Sequence, residues 1–181
     1  MKNPTQPIVA LILFNPCDCT YLLQHHKSGK WGFMTGRIEE KDTVNIGDPK
    51  QNPIDLLAAA RNALIREAKE ELDLNLINKQ ADYIGSVYPK SQYDGHKSER
   101  FEAFVFYAEY SGWESTATII NMEPETCLEL KWMSLEDVKE LVKQDIVRVT
   151  TKEIINEEII EDYLFNQIDD VMIEHGDGYM S

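Results

Sequence analysis

The chain is poor in several things that would each signal a class of protein. It has only three cysteines among 181 residues. Cys17 and Cys19 lie two apart and Cys127 stands far from both, so no paired four-ligand zinc site can be assembled; Cys17-Asp18-Cys19 reads as a plain turn, with a disulfide or metal role as the alternative. Basic residues are scarce: 18 Lys and Arg against 32 Asp and Glu leave a formal net charge of −14. That excludes the basic footprint needed for a nucleic-acid polymer. It does not exclude a small phosphorylated ligand, because a divalent cation can bridge carboxylates to phosphates. No apolar run approaches the roughly 20 residues of a membrane-spanning helix. Residues 1–7 lack the charged-then-apolar layout of a signal peptide. No membrane partner and a cytoplasmic location are therefore expected. Repeats and low-complexity tracts are absent as well.

What remains reads as one globular domain over residues 1–181, with 43% apolar and 28% charged residues. Ile8 to Phe14 and Tyr21 to Gln24 predict a strand hairpin across a turn-like Asn15 to Thr20. Trp31 to Glu40 predicts an extended, looping segment. Lys41 to Gln51 is polar and predicts a surface insertion. Asn52 as N-cap, Pro53 at the first helical position and Asp55 in the first turn start a helix. It runs from Ile54 to Leu72, with Leu57, Ala60, Leu64, Ala68 and Leu72 on one buried stripe.

Further strands are expected over Asp82 to Tyr88 and Phe101 to Tyr110, and where Leu128, Leu130 and Trp132 alternate. Trp132 reads as core, or as an aromatic lining a base pocket. Ser91 to Ser98 reads as a polar loop, and Ser111 to Asn121 is ambiguous. Ser134 predicts the cap of a short helix. Another helix is expected over Lys152 to Phe165, within an acidic helical extension from about residue 150, and His175 to Ser181 is expected to fray. Around Glu157 to Asp170 that extension suits either packing on its own domain or a homodimer or partner contact. The pattern predicts a mixed α+β sandwich.

Chemistry concentrates in Arg66-Glu-Ala-Lys-Glu-Glu-Leu72. On a helix, Glu67, Glu70 and Glu71 fall within an arc of about 100°. Three gathered carboxylates repel one another unless a cation sits among them, and Mg²⁺ takes oxygen ligands and shares them with phosphate. Arg66 can pair with Glu70 at i,i+4. Alone, these residues also suit an ordinary solvated helix face.

The order Arg-Glu-x-x-Glu-Glu resembles the core of the Nudix box, with Ala68 and Leu74 at its apolar positions. Trp31-Gly-Phe-Met-Thr-Gly36-Arg-Ile-Glu39 is similar to the loop that precedes the box. The resemblance spans roughly Ile8 to Val142. It implies a Nudix-type α/β/α sandwich with a mixed β-sheet and a small nucleotide-like substrate. The reaction it implies is metal-dependent hydrolysis of a diphosphate linkage, in a nucleoside triphosphate or a related nucleoside diphosphate derivative. It carries over Glu67, Glu70, Glu71 and the Gly36 carbonyl as ligands of Mg²⁺ (or Mn²⁺).

Asn121-Met-Glu123-Pro-x-x-Cys127 to Trp132 is similar to a segment of a MutT-like subgroup that cleaves nucleoside triphosphates. The implied catalytic set is Glu67, Glu70, Arg66 and Glu123, with Glu125 a further carboxylate of that loop. His25, His26, Lys30, Lys90 and Arg100 are candidate phosphate contacts, or plain surface groups. The sequence departs from the box first in spacing, since an insertion centred on Lys41 to Gln51 separates Gly36 from Arg66, and then in three residue identities. Its upstream Glu would fall at Ala58 or at Asp42, its closing Gly is Asp73, and Met34-Thr35 replaces Pro-Gly. An ADP-ribose or dinucleotide pyrophosphatase, and a non-catalytic nucleotide-sensing or protein-binding module, are the alternatives.

Overall fold

In a computed structural model of the chain, residues 6–43, 53–76, 80–91, 99–110 and 119–176 are described; for 53–54 and 168–176 this covers the backbone only. Strand β1 (Ile8–Asn15) is the centre of the sheet. Val9, Leu11 and Leu13 pack on one of its faces, and Ala10 and Ile12 on the other. Alternation thus buries both faces, which is why this stretch is almost continuously apolar.

The turn at 16–19 returns the chain as β2 (Thr20–His26), antiparallel to β1 at Phe14↔Tyr21. The two strands then part. β1 pairs β4 (Met34–Arg37), whereas β2 pairs β3 (Trp31–Gly32) and β7 (Cys127–Met133). On its other edge β1 runs parallel to β6 (Ala103–Glu109), which pairs antiparallel with β5 (Asp82–Val87). The sheet is therefore mixed.

Helix α1 (Pro53–Leu72) covers one face through Ala59, Ala60, Ala63, Leu64, Ala68 and Leu72. Small residues at four of these positions let the helix lie close on the sheet. Helix α2 (Leu135–Lys143) starts where the Ser134 side chain accepts a hydrogen bond from the Asp137 amide. With α3 (Val149–Asn156) and α4 (Ile159–Gly176) it covers the other face through Val138, Ile154, Ile155 and Ile160. The expected α/β/α sandwich is present.

Two expectations need correction. The single helix over Lys152 to Phe165 is two helices, broken at Glu158, whose φ is 53°. The break lets Ile154 and Ile155 on α3 and Ile160 on α4 all enter the core, which one straight helix would place on diverging faces. Of the stretch expected to fray, His175 and Gly176 are the last residues of α4, and 177–181 lie outside the described residues. The polar stretch beginning at Lys41 is not all surface insertion. Glu40–Thr43 forms a 3₁₀ helix in which Asp42 is 4% exposed. The rest of that stretch, Asn52, the ambiguous Ser111 to Asn121 up to residue 118, and most of the polar loop after Ser91 lie outside the described residues. Trp132 is half-buried and packs its ring 5.6 Å from Tyr110.

Candidate active site

The last two turns of α1 face the point where β1 and β2 part. Gly36, paired with Val9 across β4 and β1, lies directly against Glu67. A Cβ at Gly36 would stand 2.0 Å from Glu67 Cγ and 2.2 Å from Cδ. No side chain fits there, so the glycine lets the backbone of β4 approach the carboxylate.

Arg66 holds the cluster from the side. Its Nε and Nη2 donate to the two Asp42 carboxylate oxygens, each at 2.9 Å. Nη1 donates to Glu67 Oε1 at 2.7 Å and to Glu70 Oε2 at 3.0 Å, and Nη2 also reaches the Arg37 carbonyl at 2.8 Å. The expected Arg66–Glu70 pair is thus present, but the two-pronged fork onto Asp42 is the more buried contact. Asp42 therefore pairs the arginine with a carboxylate from the Gly36 side of the insertion. Its own Oδ2 also accepts the Glu39 amide at 2.8 Å, which closes the 3₁₀ turn.

Glu71 points inward. Gln24 Nε2 on β2 donates to its Oε2 at 2.7 Å, and Gln24 is itself 3% exposed. Gln24 Oε1 is buried without a hydrogen-bond partner among the described residues. Burial raises the Glu71 carboxyl to about 7, and the charges of Glu67 and Glu123 push the same way against the Gln24 hydrogen bond and the more distant Arg148. Burial also raises Glu67, against its bond with Arg66.

Asp73, where the box has glycine, takes the left-handed conformation at φ 51° after α1 ends. The next turn packs onto this helix end: the Met122 amide donates to the Glu71 carbonyl at 3.0 Å and the Ile120 amide to the Leu72 carbonyl at 3.3 Å. Asn121 then shapes the loop. Its Oδ1 accepts the Glu123 amide at 3.1 Å and its Nδ2 donates to the Cys127 carbonyl at 2.7 Å. The distant loop thereby carries Glu123 to within electrostatic reach of Glu71.

Glu67, Glu70, Glu71, Arg66, Gly36 and Glu123 are thus one neighbourhood. Among the described residues no three His, Cys, Asp or Glu side chains converge as a metal cage; Arg66 Nη1 bonds both Glu67 and Glu70. The donors nonetheless fit a hard cation: all are oxygens, and Glu71 and Glu67 are desolvated carboxylates beside like charge.

Other candidates lie elsewhere. Arg100 bonds the Tyr88 carbonyl and Glu153 on the opposite side of the sheet, with Lys90 bridged to it. His25 stacks on Trp31 at 4.4 Å. The cysteines are free, with Cys127 buried and the other two exposed.

Sequence reasoning passed over Gln24 and discounted Asp42. A signal existed for each. Gln24 shares the period-two face of Leu22, and Asp42 falls at the box's upstream carboxylate position counted from Gly36.

The NUDIX domain family profile matches residues 54–152. No curated protein matches the chain in sequence. Among solved structures, the chain is similar to a MutT protein from Methanosarcina mazei (TM-score 0.60, 15% identity, covering 90% of this chain and 98% of that one). It is also similar to the NUDIX domain of Shewanella oneidensis NrtR complexed with ADP ribose (0.58, 16%, 91% and 90%). A third is the E. coli dihydroneopterin triphosphate pyrophosphohydrolase (0.55, 17%, 88% and 97%). With more than half its length matched by the family profile and its carboxylate helix packed on the glycine strand, the chain belongs to the NUDIX domain family of hydrolases.

Proposed function

We propose that the protein hydrolyses a diphosphate linkage in a small nucleotide-like substrate and that the reaction depends on Mg²⁺ or Mn²⁺. The observation that carries this reading is Glu71. A carboxylate held at about 7 by burial and like charge is costly unless a cation joins it. Glu67, Glu70, Glu71 and the Gly36 carbonyl would hold the ion. When bound, such an ion neutralises phosphate oxygens and makes a coordinated water a better nucleophile.

The chain's own residues do the rest. Glu123, placed by the Asn121 turn and with one carboxylate oxygen engaged by the Thr126 hydroxyl, accepts the proton of the attacking water through its other oxygen. Water oxygen bonds to one phosphorus, the bridging P–O bond breaks, and the second phosphate leaves with its electron pair. Arg66 commits all three of its guanidinium nitrogens to Asp42, Glu67, Glu70 and the Arg37 carbonyl, so we assign it as a positioning residue that fixes Glu67 and Glu70.

The test is turnover of a panel of nucleoside triphosphates, ADP-ribose and dinucleotides, with Mg²⁺, with Mn²⁺ and with chelator. Metal-dependent products that vanish in Glu71→Gln support the reading. Tight nucleotide binding without turnover on the whole panel overturns it in favour of a sensing module.

A further inference from the structure

Beside the carboxylate cluster lies a cavity of about 470 Å³ with the opposite charge. It is lined by His26, Lys27, Ser28, Lys30, Glu125, Thr126 and Arg148. Three permanent cations against one carboxylate stand out in a chain of net charge −14. Among the described residues no ion pair joins Lys27 or Lys30 to a carboxylate; Asp145 pairs with Lys152 at 2.7 Å and also feels the charge of Lys30.

The frame is fixed by backbone bonds. The Lys27 amide donates to the Thr126 carbonyl at 3.0 Å, the His26 amide to the Lys30 carbonyl at 2.9 Å, and the Arg148 amide to the Trp31 carbonyl at 2.8 Å. Three separate segments are thereby locked around one space. His26 contacts Arg148 Nη1 through Nε2 at 3.1 Å. Burial and the adjacent guanidinium hold that imidazole down at about 4, so it stays neutral and orients the arginine without adding repulsion.

The cavity lies near the reaction centre, with lining residues that come from the same strand and the same loop. Gln24, which grips Glu71, and His26, which lines the cavity, are two residues apart on β2, with a register shift between His25 and His26; Glu123 and the cavity residue Glu125 are likewise two apart on the loop before β7. Arg148 is close enough to Glu71 for its charge to be felt there.

From this cationic cavity beside the carboxylate cluster, we infer that the substrate carries a further phosphate outside the scissile diphosphate, bound by Lys27, Lys30 and Arg148. This rests on the hydrolase reading and narrows it toward nucleoside triphosphates or longer polyphosphates, away from ADP-ribose.

The test uses inorganic tripolyphosphate titrated calorimetrically into the full chain in chelator, so that no metal contributes. Lys27→Gln/Lys30→Gln keeps the side-chain stems and is expected to weaken binding roughly tenfold or more. Glu125→Gln, which removes the opposing charge, is expected to tighten it. In turnover, the double variant is expected to raise KM for the nucleoside triphosphate and leave KM for ADP-ribose unchanged. No binding by the wild type, equal binding by the double variant, or equal KM changes for both substrates would overturn the inference. Wild-type turnover separates the two ideas. If the wild type turns over no member of the nucleotide panel, the hydrolase reading fails while tripolyphosphate binding still judges the cavity. If its turnover is metal-dependent and is lost in Glu71→Gln while the double variant binds tripolyphosphate like the wild type, only the cavity assignment fails.

Discussion

Replacing Glu71 with Gln is expected to make the protein inactive and, at the same time, more stable. The carboxyl rises from 4.5 to about 7 mainly through burial, and that rise is worth about 3 kcal/mol. Above about pH 7 the carboxylate is ionised in both folded and unfolded chains, and the folded chain bears the whole desolvation cost. Below about pH 4.5 both states are protonated and the cost disappears. Wild-type stability from this group is therefore greatest at low pH and is lost as pH rises through about 7. A glutamine has the same shape, stays neutral, and still offers Gln24 Nε2 an acceptor. The variant should gain up to about 3 kcal/mol at pH 8, or roughly 5–10 °C in Tm, and nothing near pH 4. Thermal and urea unfolding at both pH values in chelator would measure it. Adding Mg²⁺ should then stabilise the wild type far more than the variant. Equal gains at pH 4 and pH 8, or no gain at pH 8, would refute the claim that Glu71 is a destabilised buried carboxylate.

Other perturbations act on neighbouring contacts. Gly36→Ala would drive a methyl to 2.0 Å from Glu67 Cγ; the expected cost is about 1–3 kcal/mol of stability and roughly 100-fold in kcat, read by denaturant melts and steady-state rates. Asp42→Ala removes the two-pronged fork and leaves Arg66 its bonds to Glu67, Glu70 and the Arg37 carbonyl, and should cost about 1.5–3 kcal/mol by chemical denaturation; a loss below about 1 kcal/mol would mean that the fork is incidental. Gln24→Leu removes the one bond that lowers the Glu71 carboxyl most. The acidic limb of the pH–rate profile should move upward, and an unmoved limb would detach Glu71 from the profile. Metal binding should release close to one proton near pH 6 and far fewer at pH 8.5, detected by calorimetry in buffers of different ionisation enthalpy.

Local pattern was enough for much of the molecule. Continuous apolarity in Ile8 to Phe14 marked a strand buried on both faces, and the Ala-rich stripe of α1 marked the helix that lies on it. The order Arg66-Glu67-x-x-Glu70-Glu71 placed three carboxylates on one helical arc, because helical geometry is set within a few residues. Ser134 announced the start of α2 for the same reason, since a cap needs only its next turn.

Tertiary structure decided what depends on residues far apart in the chain. Asp42 and Arg66 meet across the insertion, and no local rule shows that a polar 3₁₀ turn will be buried under a guanidinium. Gln24 finds Glu71 from another strand, and the desolvation that lifts Glu71 exists only once β1 and β2 have parted around it. The cationic cavity joins the turn after β2, the loop before β7 and the start of α3, so its charge is invisible in a chain whose overall balance is strongly acidic. Sequence determined which groups are present and which local elements carry them. Burial and long-range proximity, which set the pKa of a carboxylate and gather cations around one space, came from the fold.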